Sequence, residues 1–206
     1  MNIRIKRAML AAGIVTTMAL PLTGQASDGT ITFTGAVTAS TCTLSINGAA
    51  NAGTATVALP TVDTAALTNV GVGTTAAGTF FSVGVSACNA VADIGSGPAV
   101  APTHVAIYFE AGPNVDEVTG GLINTITTGS NVEVNLYNAS GSTIVGTQIK
   151  PGTSTNQPTA LTIAAGGTQW FYAGYSTAGA GPGAGAGAAA TAGAVSTSIT
   201  YSLVYQ

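Results

Sequence analysis

The sequence predicts an all-β fold in which antiparallel sheets pack as a sandwich. Apolar and polar residues alternate with a period of two through many short segments, as in half-buried strands. Turn-forming residues separate these segments at regular spacing, and few segments have a helical period. Without its leader the chain has about 180 residues, enough for one domain with a proper core. These features favour a β-sandwich.

The leader is predicted at residues 1–26. A basic start precedes the apolar run 8–22, which has the length of a signal-peptide core and is too short to span a bilayer comfortably. Gly24 and Ala26 supply small residues where a signal peptidase cleaves. We therefore place the mature start at Ser27 and expect the protein to be exported.

The alternating segments define the predicted strands. Residues 65–70 form one turn of helix at most. The last segment, VSTSITYSLVYQ, is long and apolar at alternate positions, which raises the question of what covers its free edge. The predicted strands are 30–37, 79–88, 104–109, 131–138, 142–146, 160–163, 168–177 and 195–206.

The same alternation predicts which strand faces are buried. Within 131–138, the polar residue Glu133 alternates with apolar neighbours, so we expect that strand to bury one face only. The predicted inward residues of three strands are Phe81, Val83, Val85 and Ala87; Val132, Val134 and Leu136; and Phe171, Ala173 and Tyr175.

A Gly/Ala-rich segment, AGAGPGAGAGAAATAGA, occupies residues 178–194. Its composition fits a silk-like or elastin-like repeat, or a surface loop. It occurs once, has no sustained period and lies between two predicted strands. We therefore expect a surface loop that joins these strands.

Charge is scarce and negative. The whole chain has a formal net charge of −3 and only 5% charged residues. Without the leader the balance is about −6, because Lys150 is then the one base beside seven acids. This charge balance strongly disfavours binding to nucleic acid or to an anionic membrane surface. So little charge favours a surface that packs against copies or a partner, the alternative being a neutral, hydroxyl-rich surface.

Cys42 and Cys88 are the two cysteines of the sequence. An even count behind a signal peptide predicts one disulfide. It closes a loop of about 46 residues, which stabilises the fold by about 3–4 kcal/mol in the chain-entropy picture. A metal or redox role would need more ligands or a CxxC spacing, and the sequence has neither.

No catalytic, metal or cofactor motif is present in the sequence. His104 has no acidic neighbour in sequence, and the pair Asp116 and Glu117 is typical of a solvated turn. The glycosylation sequon at 138–140 is short enough to occur by chance, and Trp170 lies in a strand where packing is its usual role. We predict that the protein is not an enzyme and uses no cofactor.

Both ends of the mature chain resemble the pilin subunits of bacterial chaperone–usher fimbriae, the type 1-like major pilin family. SDGTITFTGAVTASTC, residues 27–42, is similar to the family's opening: an alternating extension, an internal glycine and the first cysteine. Gly193 is fourteenth from the C-terminus and Tyr205 is penultimate, where the family has a glycine and an aromatic residue. The cysteine spacing also fits the family's single disulfide.

The resemblance implies an incomplete immunoglobulin-like β-sandwich that lacks its final strand. Residues 27–38 become a donor-strand extension and residues 39–206 the pilin domain. A chaperone strand covers the apolar groove in the periplasm, and the extension of the next subunit replaces it in the fibre. The implied partners are identical or related pilin subunits, a periplasmic chaperone and an outer-membrane usher, with no nucleic acid and no small-molecule substrate. The implied location is a surface fimbria, reached through the periplasm, that supports adhesion and biofilm formation.

The resemblance also assigns site residues. On the donor, Ile31 and Phe33 contribute the main burial, and Gly35 fits where the groove is shallow. The carboxylate of Gln206 is expected to bind basic residues of the chaperone. The predicted donor residues are Gly29, Ile31, Phe33, Gly35 and Val37. The predicted acceptor and chaperone-contact residues are Gly193, Val195, Thr197, Ile199, Tyr201, Leu203, Tyr205 and Gln206.

Some alternatives stay open within and beyond this family. Cys42 comes sixteen residues into the mature chain, a short extension of the kind found in some adaptor subunits. The abundance of Ala, Gly and Thr instead favours a shaft subunit. A tip adhesin is expected to have a receptor domain ahead of the donor-like segment, which begins here at Ser27. A secreted enzyme is disfavoured by the poverty in His, Lys and Arg.

Overall fold

The structure is a computed structural model that describes residues 41–50, 53–67, 70, 74–89, 102–177 and 189–206. All of these belong to one compact unit, Ala36–Gln206. The predicted leader, the donor-strand extension and most of the Gly/Ala-rich segment lie outside the described residues. No helix among the described ranges is long and apolar enough to cross a membrane.

The regular secondary structure of the described chain is nearly all β-strand, as predicted. The one helical element is a single 3₁₀ turn, Thr64–Leu67, which overlaps the short helical turn expected there. The strands are β1 Thr41–Ile46, β2 Ala49–Ala50, β3 Ala76–Asn89, β4 His104–Phe109, β5 Leu122–Ile123, β6 Glu133–Ser140, β7 Thr143–Ile149, β8 Leu161–Thr162, β9 Gly167–Ser176 and β10 Tyr201–Tyr205.

Two antiparallel sheets contain these strands. The larger has the order β2-β1-β3-β9-β6-β5, with β7 also paired to β6. The smaller has the order β10-β4-β8. In the larger sheet β9 is central, since it pairs with β3 on one side and β6 on the other. In the smaller sheet β10 is an edge strand.

The core lies where the two sheets face each other. The ring of Phe109 in β4 meets the ring of Phe171 in β9 edge-on, with centroids 5.2 Å apart. Phe81 in β3 packs on the same Phe171, at 5.3 Å between centroids. Burial of each such side chain stabilises the fold by about 1.5–3 kcal/mol. The rest of the central core is apolar: Val83, Val85, Val105, Ile107, Val134, Leu136, Ile149 and Ala173.

The prediction that β6 buries one face is wrong. Its even residues face the core, but Glu133 and Asn135 on the other face are each only 1% exposed. The cause is a covering loop: the Thr119 hydroxyl donates to Oε2 of Glu133 at 2.9 Å. A Cβ at Gly121 would collide with the same carboxylate. β6 is therefore an interior strand covered on both faces.

The predicted disulfide is confirmed. Cys42 in β1 is bonded to Cys88 in β3, with 3.9 Å between their Cα atoms. The strands are neighbours in the larger sheet, and their pairing register shifts between Thr41 and Thr43. Ala87, predicted to face inward, is instead exposed and has a φ of 46° beside this irregularity. The disulfide thus fastens the outer part of the larger sheet.

The predicted terminal strand 195–206 is only partly a ladder strand. β10 pairs with β4 from Tyr201 to Tyr205. Residues 194–200 keep the alternation of half-buried and exposed side chains but belong to no strand, and loop residues bind their outer side.

Candidate strand-acceptor groove

A groove opens into the core between two extended segments, 53–59 and 195–201. Its volume is about 650 Å³. Its floor is the centre of the sandwich: Ile46, Phe81, Val83, Phe109, Leu122, Val134, Leu136, Ala173 and Tyr175. These floor side chains are each at most 8% exposed, so the groove lies directly against the buried core.

A second cleft of about 490 Å³ continues the groove. It shares Leu59, Tyr175 and Val195 with the first, so the two form one elongated groove. At this end the walls are residues 59–64 and 191–195. At the opposite end Tyr201 donates its hydroxyl hydrogen to the Gly53 carbonyl, at 3.0 Å. The two walls therefore run antiparallel to each other.

The wall formed by residues 195–201 continues into β10. Its outer side is hydrogen-bonded to loops and to Glu110, while its inner side faces the groove. The carbonyls of Ser196 and Thr200 accept from the backbone N–H groups of Thr125 and Glu110, at 2.8 and 2.9 Å. The Ser198 carbonyl accepts from Asn114 at 3.4 Å. In extended chain, successive residues direct their backbone groups to opposite sides. The odd-numbered residues therefore direct their backbone N–H and C=O groups towards the groove, where no strand of the described chain pairs with them.

Side chains on this wall alternate as predicted. Val195, Thr197 and Ile199 are half-buried, while Ser196 and Ser198 between them are exposed. The structure brings four of the predicted acceptor residues to the main groove: Val195, Thr197, Ile199 and Tyr201.

The other predicted acceptor residues lie outside the main groove. Leu203 and Tyr205 pack against the core from β10. The Gln206 carbonyl accepts from the N–H groups of Thr103 and His104, at 2.7 and 2.9 Å. Its expected contact with a chaperone stays a prediction.

Gly193 lies at the second end of the groove, against a turn of its own chain. A Cβ there would come within 2.5 Å of the Gly129 carbonyl carbon and of the Ser130 nitrogen. Glycine is therefore required at position 193 because a side chain would collide with the backbone of this turn. The expectation that Gly193 makes room for an incoming strand stays a prediction.

The opposite wall was missed by the sequence reasoning. Val57 and Leu59 are half-buried and pack against the core, between exposed neighbours. The Ala58 carbonyl accepts from the Thr79 hydroxyl at 2.7 Å, and that of Pro60 from the Tyr175 hydroxyl at 3.1 Å. The alternation of Val57 and Leu59 with Thr and Ala is the signal that was available, but it covers too few residues to predict a strand alone.

The main groove is uncharged. Its described lining contains no Asp, Glu, Lys, Arg or His. Burial raises the pKa of Tyr175 and of Tyr201, so both phenols stay neutral at physiological pH. The described residues also hold no cluster of three or more His, Cys, Asp or Glu that could bind a metal. Such a lining suits an apolar strand.

Thr197 adds one polar feature. Its hydroxyl oxygen is buried and has no hydrogen-bond partner in the structure. A buried hydroxyl without a partner costs about 1–3 kcal/mol.

The polar residues singled out in the sequence lie elsewhere. His104 is exposed and contacts the Thr103 hydroxyl at 2.8 Å. Asp116 caps the turn after it, accepting from Val118 and Thr119 N–H groups. Trp170 is 41% exposed on the larger sheet. None of these three lines the groove.

The predicted donor residues 29–37 lie outside the described residues, so their fit to the groove is not observed. In comparisons with protein-family models and with curated proteins, no match to this chain is found.

Proposed function

We propose that this protein is a structural subunit of a bacterial surface fimbria that polymerises by donor-strand exchange. The observation that supports this most is the elongated groove, which lies against the apolar core and is bordered by an edge that no described strand pairs with. An exposed edge beside an open core is a site for strand addition. In this proposal the fold is an immunoglobulin-like sandwich that lacks its final strand.

The groove favours a strand as its occupant on two grounds. Its walls offer backbone hydrogen-bonding groups, and an extended peptide is the partner that can use a row of them. Its floor is aromatic and aliphatic, so the inward side chains of that peptide must be apolar at every second position. The absence of charge from the described lining of the main groove disfavours a charged ligand there.

Residues 27–38 are the proposed occupant, supplied by the next subunit. Gly29, Ile31, Phe33, Gly35 and Val37 alternate with three threonines and Ala36. Burial of the Ile31 and Phe33 side chains contributes about 1.5–3 kcal/mol each. The donor backbone would also satisfy groups that the open edge leaves unpaired.

In the cell, a chaperone strand would occupy the groove before an usher hands the subunit to the fibre. Adhesion and biofilm formation would follow from the assembled fibre. A minor adaptor subunit is the second candidate, favoured by the short extension before Cys42. An adaptor subunit would lie at a junction of the fibre and a shaft subunit along its length, so the position of the protein in the fibre distinguishes these two candidates.

The test is a matched pair of donor variants expressed with a chaperone and an usher. Phe33→Asp places a charge on the face proposed to enter the groove, while Thr32→Asp places it on the opposite face. We expect Phe33→Asp to abolish surface polymer while the monomer–chaperone complex persists, and Thr32→Asp to polymerise. Equal polymer yield from the two variants contradicts the proposed donor face.

A further inference from the structure

Apolar and polar residues alternate in burial along the groove wall 194–200, although no described strand lies along its outer side. Side chains and backbone of the preceding loops take the place of that strand. Asn114 binds Ser198, donating at 3.4 Å to its carbonyl and at 2.9 Å to its hydroxyl. Residues 124–130 bind the wall at Ala194 and Ser196. The order of the wall therefore depends on a few loop residues.

Asn124 makes the central connections. Its Nδ2 donates to the carbonyls of Ser130 and Ala194, at 2.7 and 2.9 Å. Its Oδ1 accepts from the N–H groups of Ile126 and Ser196, at 3.2 and 2.9 Å. One amide thus folds its own loop back on itself and holds two alternate residues of the wall.

Thr125 completes the attachment at Ser196. The Ser196 carbonyl accepts from the backbone N–H of Thr125 at 2.8 Å and from its hydroxyl at 2.9 Å. Both backbone groups of Ser196 are therefore bound on the outer side of the wall. The backbone groups of the neighbouring residues Val195 and Thr197 therefore point to the opposite side, towards the groove.

Orientation matters here because strand pairing has a period of two. A rotation of the wall by one residue would turn its apolar side chains outward and its open backbone groups away from the groove. Covalent geometry alone does not prevent such a rotation in an unpaired segment. The loop contacts supply the missing constraint.

We propose that Asn124 is the positioning residue of the groove: it holds the wall in the orientation that accepts a donor strand. This inference rests on the proposed function and adds to it a residue outside the groove lining. Asn124 lines neither the main groove nor the second cleft. It acts through Ser196 and Ala194.

The test measures uptake of a fluorescent peptide of residues 27–38 by the purified mature chain, well below its melting temperature. We expect Asn124→Ala to weaken peptide affinity about tenfold, because bonds to two wall residues are lost. Thr125→Val removes one side-chain bond to Ser196 and keeps the backbone bond, so we expect a smaller loss of about threefold. This milder variant serves if Asn124→Ala does not fold.

The matched control is Gln157→Ala. Gln157 also makes four hydrogen bonds with its amide, to Phe109, Lys150 and Thr153, none of which belongs to the wall. We expect this variant to lower the melting temperature with less than a twofold change in affinity. A merely structural role for Asn124 would give the same result as the control.

The outcomes separate the two claims. Peptide binding by the wild type with equal affinity in Asn124→Ala and Thr125→Val overturns the positioning role and leaves the proposed function standing. No binding by the wild type overturns both. Weakened binding in the two wall variants, with normal binding in Gln157→Ala, supports the positioning role.

Discussion

β9 and the C-terminal segment 194–205, which contains the groove wall, share an alternation of apolar and polar residues but have different surroundings. β9 lies between β3 and β6, so both of its edges are paired and Phe171 is completely buried. The wall has β4 and loops on one side and the groove on the other, so its inward residues are only half-buried. Alternation specifies which face of a strand is apolar. Whether one or both edges of that strand are paired depends on which other strands of the chain lie beside it.

The two regions are linked through the far wall of the groove. Tyr175 of β9 donates to the Pro60 carbonyl, and Tyr201 of β10 donates to the Gly53 carbonyl. One tyrosine from each sheet thus holds the segment 53–60 across the open side. The groove is spanned at these points by side chains in place of a strand.

The largest expected effect contrasts a core residue of β9 with a wall residue. Phe171→Ala should lower the free energy of unfolding by about 3–5 kcal/mol, since it removes a ring packed between Phe81 and Phe109. Ile199→Ala should cost only about 1 kcal/mol in the free subunit, because that side chain is half-buried. Urea unfolding measures both. Equal losses would mean that the wall is as fully packed as β9.

Loss of the disulfide should lower the stability of the fold more than it lowers the affinity of the groove for a peptide. Cys42→Ser with Cys88→Ser removes a loop constraint of about 46 residues, and we expect the free energy of unfolding to fall by about 3–4 kcal/mol. Peptide affinity for the groove should change little in the fraction that remains folded, because neither cysteine lines it. Loss of affinity in that folded fraction would contradict this separation.

A smaller effect depends on pH and concerns the covered face of β6. Burial raises the pKa of Glu133 to about 7 from 4.5; the Thr119 hydrogen bond opposes this rise, and nearby Asp116 adds to it. Since the folded pKa exceeds the unfolded one, this contribution to stability is fully present below about pH 4.5 and is lost as pH rises through about 7. We expect the free energy of unfolding to fall by about 3 kcal/mol over that range.

Glu133→Gln tests the origin of this pH dependence. The variant should unfold with a flatter pH profile and be more stable than the wild type at pH 8. Glu117→Gln, at an exposed acid of the adjacent turn, is the control and should keep the wild-type profile. An unchanged profile in Glu133→Gln would assign the pH dependence to another group.

Much of the fold was predictable from the sequence. The strands β3, β4 and β9 lie close to the predicted segments 79–88, 104–109 and 168–177, and the disulfide follows from the cysteine count. The double burial of β6 was not predictable, because Glu133 and Asn135 are covered by a loop whose path is set by tertiary contacts. Local alternation carries no information about such a cover.

The candidate site was predictable on one side only. Val195, Thr197, Ile199 and Tyr201 stand out by their period and do line the groove. The far wall, with Val57 and Leu59 as its main apolar residues, has too short a pattern to be recognised as strand. The role of Asn124 depends on contacts with residues about 70 positions away. No sequence period marks such a residue.

The most direct test of strand exchange is an unboiled SDS gel of material sheared from cells that express this chain with a chaperone and an usher. Strand-exchanged fibres bury the groove and pair its edge, so they should run as an SDS-resistant ladder of multiples of the mature subunit and collapse to monomer after strong acid. A lone monomer band would mean that the groove is covered within the subunit's own fold, and would contradict polymerisation by donor-strand exchange.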